Sequence, residues 1–105
     1  MQPDLGSLVN DKIIHERSRL LILSYLASAG KKEVPFSELR DTFDFTSGNL
    51  SVQLKTLKDS GYIAITKTFK DNKPLTRASI TARGGAALKQ YLGEMENLIK
   101  QFRNK

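Results

Sequence analysis

The 105-residue sequence has no cysteine, no tryptophan, three prolines and one histidine. Absence of cysteine excludes a disulfide framework, thiolate metal sites and cysteine nucleophiles together. The lone histidine, His15, opens the run His15-Glu16-Arg17-Ser18-Arg19, which begins like a zinc-protease His-Glu-x-x-His helix. Arg19 stands where the second ligand belongs, so neither metal nor cofactor is expected. His15 is left as a helix cap, an interface contact or a solvated side chain. No phosphate-cradling Gly-x-x-x-x-Gly-Lys occurs, and Gly84-Gly85 reads as close packing at a helix start, so an enzyme is not expected. Long apolar runs are missing too. The longest uncharged stretch, residues 20–30, falls far short of the ~20 apolar residues of a membrane span. Met1-Gln2-Pro3-Asp4 has no basic n-region, so neither membrane nor export is indicated and a cytoplasmic location is expected.

Acids are scarce beside bases: 11 Asp and Glu stand against 17 Lys and Arg, a formal charge of +6. A chain this short buries roughly 65% of its unfolded surface, enough for one core. A single domain over 1–105 is therefore expected, and any function must sit on that core. Whether the charge means a polyanion partner depends on where it clusters.

Residues 11–28 read as a helix, carrying Ile13, Ile14, Leu20, Leu21, Ile22, Leu23, Leu26 and Ala27, with Gly30 beyond it. The adjacent residues Leu20 to Leu23 point around most of the circumference, so a second chain is a natural cover. After an extended piece at Val34-Pro35, the spacing Phe36, Leu39, Phe43 predicts a short helix ending near Asp44. Thr46 is placed as the N-cap of a helix over 46–60, with Leu50, Leu54 and Leu57 on one face and Gly61 at C′. Two helices joined by about three residues make a helix-turn-helix.

The period then changes. Residues 62–69 are rich in β-branched and aromatic types and predict a strand, 70–74 a turn, and 75–80 the returning strand. Lys67, Lys70, Lys73 and Arg77 stand on this hairpin against the single acid Asp71, half of the chain's surplus of six. Thr81 caps a last helix over 82–102, with Leu88, Tyr91, Leu92, Met95, Leu98, Ile99 and Phe102 in one apolar stripe. A stripe that long predicts packing against the same helix of a second copy, with Leu20 and Leu23 joining the interface; folding back onto the first helix is the alternative. Only the first ten or so residues and the last few are expected to be loose.

Taken in order, Phe36-Ser37-Glu38-Leu39-Arg40, Thr46-Ser47-Gly48-Asn49-Leu50-Ser51 and Gly61-Tyr62-Ile63 resemble the helix-turn-helix of small winged-helix regulators related to MarR and ArsR proteins. Lys73-Pro74-Leu75-Thr76 and residues 81–88 resemble the wing and the start of the last helix of the same group, so the likeness runs from about Ile13 to Ile99. It implies an α+β, mainly α fold: a winged helix-turn-helix with a two-stranded wing, a core over 11–80 and a C-terminal dimerisation helix over 82–102. It also implies sequence-specific binding of double-stranded DNA by a homodimeric transcriptional regulator.

With the three leucines inward, Ser47, Ser51, Val52 and Lys55 turn outward and Asn49 and Gln53 lie on the flanks. Gln53 or Asn49 suits adenine, Lys55 guanine, Val52 a thymine methyl, and Ser47 and Ser51 base edges or phosphate. Gly48 leaves room for a phosphate at the helix start. The four hairpin cations are expected on backbone or minor groove. Arg17 and Arg19 are open between phosphate and ion pairs with Glu94 or Glu96. A small-molecule effector of unstated identity would have only a cleft between the dimer helices and the DNA-binding lobe. The competing reading is a winged helix used for protein interaction, with no DNA bound.

Overall fold

The computed structural model describes residues 11–104. Expectations about residues 1–10 lie outside the described residues. The elements are α1 (Arg17–Ala29), β1 (Val34–Pro35), α2 (Phe36–Thr42), α3 (Ser47–Asp59), β2 (Ile63–Lys70), β3 (Lys73–Ile80) and α4 (Ala82–Arg103).

The first helix begins six residues later than its periodicity indicates, because two carboxylates compete for the same stretch of backbone. Asp11 Oδ1 accepts from the N–H groups of Ile13 and Ile14 at 2.9 and 3.1 Å, closing one turn. Glu16 then takes extended backbone and accepts from Ser18 and Arg19, both at 3.1 Å, which starts α1. Burial would raise the Glu16 carboxyl, but these two N–H bonds and the Arg19 charge outweigh it and hold the group below its ordinary range.

Between α2 and α3 the chain turns at Asp44, in left-handed backbone with φ 55°. Phe45 N–H reaches back to Arg40 C=O at 2.9 Å, so Asp44 occupies the C′ position usually given to glycine. Thr46 caps α3 by accepting from Asn49 N–H at 3.1 Å. The helix ends at Gly61, φ 79°, with Tyr62 N–H donating to Leu57 C=O at 3.0 Å, the pattern of a Schellman motif.

The hairpin is longer than its turn residues indicate. Only Asp71 and Asn72 turn, both with positive φ (53° and 63°), the type I′ geometry that matches strand twist. Lys70 faces Lys73 and Phe69 faces Pro74 within the ladder. Pro74 fits because the pair next to the turn-closing pair is non-hydrogen-bonded, so its nitrogen points outward. Among the described residues no strand lies on that side: β1 reaches β3 only through Val34 opposite Ala78 and Pro35 opposite Arg77. This third strand, in the order β1-β3-β2, extends the two-stranded wing anticipated from the sequence.

One core joins all layers: Ile14, Ile22, Leu23 and Leu26 meet Leu39, then Leu50, Leu54 and Leu57 of α3, Ile63 and Ala78 of the sheet, and Leu88 and Tyr91 of α4. α4 is seated by a close approach at Gly84, where an added Cβ would lie 2.0 Å from the Tyr62 carbonyl oxygen. Thr81 locks the same junction, donating from its hydroxyl to Gly61 C=O at 2.7 Å and accepting from Gly84 N–H at 3.0 Å.

Candidate nucleic-acid interface

Leu50, Leu54 and Leu57 are buried, and the opposite side of α3 presents Ser47, Gly48, Asn49, Ser51, Val52 and Lys55 to solvent. Val52 is 61% exposed, a high figure for a valine, and an added Cβ at Gly48 would meet nothing within 4 Å. The start of α3 is therefore sterically open. Lys55 is exposed but paired with Asp59 one turn on, Nζ to Oδ2 at 2.6 Å.

Gln53 differs from its neighbours. Half-buried, its Oε1 accepts from Arg19 Nη1 at 2.8 Å while its Nε2 donates to Asn49 Oδ1 at 3.1 Å. Arg19 also donates from Nε to Ile13 C=O at 2.6 Å and lies 4.0 Å from the Glu16 carboxylate, so in the free protein it ties α1 to α3. Sequence gave no signal for this bridge beyond the presence of an arginine, since its ends lie 34 residues apart.

Strand alternation divides the hairpin cations. Lys67 shares a face with Ile63, Ile65, Phe69, Thr76 and Ala78, and that face turns toward α3: Lys67, Thr76 and Ile65 line a groove of about 360 Å³ with Ser51, Leu54 and Lys58. Lys70, Lys73 and Arg77 stand on the other face; the two lysines are exposed and Arg77 is half-buried. The four residues grouped by sequence thus form one cation beside α3 and three behind it. Two exposed residues stand on this side beyond those the sequence motifs indicate, Lys58 and Phe69; Lys58 follows Lys55 by one helical turn, which is its signal in the sequence.

The residues expected at a dimer interface also divide. Leu23, Leu88 and Tyr91 are 0%, 5% and 2% exposed in the chain's own core, and this corrects their placement as surfaces for a second copy. Part of the last helix does fold back on α1, since a buried face at its start completes the core. Leu20, Met95 and Leu98 are half-buried, while Leu92, Ile99 and Phe102 are exposed at 45%, 42% and 62%. His15 hydrogen-bonds Tyr91, Nδ1 to Oη at 3.1 Å, and burial raises the Tyr91 hydroxyl above its ordinary range. Among the described residues no three His, Cys, Asp or Glu side chains gather as a metal site, and no helix is long and apolar enough to cross a membrane.

A capped, solvent-facing second helix beside a cationic hairpin defines a winged helix-turn-helix domain of the DNA-binding type. The chain belongs to the winged helix DNA-binding domain family, whose model matches residues 18–99. It is 32% identical over 91 residues to an uncharacterized protein of Methanocaldococcus jannaschii, covering 87% of this chain and 97% of that one. A transcriptional regulator homologue from Pyrococcus horikoshii superposes with a TM-score of 0.83 at 26% identity, over 93% of this chain and 95% of the other. A MarR-like transcriptional regulator from Thermotoga maritima shares the fold, with a TM-score of 0.64 at 21% identity over 96% and 72% of the two chains. The resemblance read from the sequence is thus met in family and fold.

Proposed function

We propose that the protein is a homodimeric transcriptional regulator that binds double-stranded DNA sequence-specifically, with residues 46–60 in the major groove and the wing over 67–77 on the adjacent backbone or minor groove. The observation that carries this reading is the outward face of α3, where Ser47, Asn49, Ser51, Val52 and Lys55 are all exposed on a helix whose other face is locked into the core. These side chains match the donors, acceptors and methyl groups of base edges. The α3–wing groove, rimmed by Lys58, Lys67 and the Lys55–Asp59 pair, carries a net positive charge that suits the phosphate backbone passing between helix and hairpin.

Leu92, Ile99 and Phe102 support pairing of α4 with its copy, because exposed apolar residues at helical spacing need a partner. Two recognition helices about 34 Å apart then require half-sites one helical turn apart. Selection of bound duplexes from random DNA tests this: an imperfect palindrome with that spacing is expected, and recovery of no common sequence would contradict it. The same exposed residues also fit a different protein. Light scattering on the full chain and on a chain ending at Leu92 separates the two readings: a dimer that becomes a monomer supports self-pairing, and a monomer in both cases favours a foreign partner.

A further inference from the structure

We propose that the wing tip is an apolar wedge, Phe69 backed by Pro74, that enters the minor groove beside the major-groove helix and partly unstacks a base step. The inference rests on the DNA-binding reading and adds to it the residue that deforms the duplex.

Phe69 is 79% exposed, more than Val52, Leu92, Ile99 or Phe102. A single exposed apolar residue is ordinary, but three further observations surround this one. Phe69 lies directly opposite Pro74, itself exposed, so two rigid apolar side chains stand together at the end of the hairpin. Their face of the sheet is the one that carries Lys67 and Thr76 into the groove shared with α3, which places the pair farther out on the same side as the helix. Behind them Lys70 and Lys73 oppose each other in register, and neither is among the ion pairs of the described residues.

Like charges directly across a strand pair are destabilising. A polyanion removes that cost, so charge complementarity selects an anionic partner with an apolar interior within reach of a side chain. A duplex minor groove, with phosphates on both rims and stacked bases between them, has that form, and apolar wedges of this kind kink DNA by about 20–90°. The type I′ turn at Asp71-Asn72 holds the tip in a single register, as insertion requires.

The test uses the full chain and a duplex recovered by selection from random DNA, labelled at its ends for energy transfer, with affinity measured across a salt series. Phe69→Ala is expected to bind about tenfold more weakly, lose the bend and keep the salt slope; Phe69→Leu keeps the bend. Lys70→Ala with Lys73→Ala is expected to lower the salt slope by about 2 while the bend remains. Equal bending by wild type and Phe69→Ala overturns the wedge and leaves the DNA-binding reading intact. Failure of the wild-type chain to bind any duplex overturns both. If Phe69→Ala instead abolishes binding to phosphatidylserine vesicles, or changes the sedimentation of the free protein, with bending unaltered, the tip serves a lipid surface or a second copy and the wedge is rejected.

Discussion

Arg19 at the start of α1 donates to the side-chain carbonyl of Gln53 in the middle of α3, Nη1 to Oε1 at 2.8 Å. An amide oxygen facing a guanidinium fixes which way the amide points, so Gln53 turns its nitrogen to Asn49. Pairing with adenine needs one acceptor and one donor from the same amide. With one lone pair of that acceptor taken by Arg19, Gln53 is expected to suit adenine less well, and the free N–H donors of Asn49 and Gln53 to suit acceptor-rich edges such as guanine O6/N7 or thymine O4.

Arg19→Met therefore frees Gln53. Selection from random DNA is expected to shift toward adenine at the positions under Gln53, and unfolding in urea should show a loss of about 1.5–3 kcal/mol from the missing charged hydrogen bonds. An unchanged preference would mean that the bridge dissolves on binding.

The two glycines at the start of α4 should respond in opposite ways. Gly84→Ala forces a methyl into the Tyr62 carbonyl and is expected to cost about 1–3 kcal/mol. Nothing lies within 4 Å of an added Cβ at Gly85, so Gly85→Ala should gain about 0.5–1 kcal/mol from helix propensity. Thermal melts of the two variants check the pair.

Glu16 makes the start of α1 sensitive to acid. Its folded-state pKa lies below the ordinary 4.5, so its contribution is fully present above that value and is lost as pH falls through the folded value. The stability difference between wild type and Glu16→Gln, followed by urea unfolding, is expected to be constant near neutrality and to shrink below pH 4.5. A difference that grows on acidification would reverse the assignment.

What the sequence made legible was whatever acts within a few residues. Thr46, Thr81 and Gly61 cap helices through partners at most five positions away, and Leu50, Leu54 and Leu57 declare the buried face of α3 by spacing alone. Interactions between distant residues stayed hidden. Val34-Pro35 pairs with Ala78 and Arg77, Arg19 reaches Gln53, and Leu88 and Tyr91 join the core, none of which periodicity encodes. Two local signals misled as well. Asp11 and Glu16 can each start a helix, and periodicity does not say which carboxylate wins. Pro74 resembles a turn residue, yet on the open side of β3 it belongs to the strand.

The claim that α3 and the wing form one DNA-binding surface is tested most directly by a salt titration of affinity for a selected duplex, comparing wild type with Lys67→Ala and Lys73→Ala. The account predicts that log K falls linearly with log salt, by about 0.9 per phosphate contacted, and that each lysine removed makes the slope shallower by about 1. A slope flat in salt, or one that neither substitution changes, would contradict it.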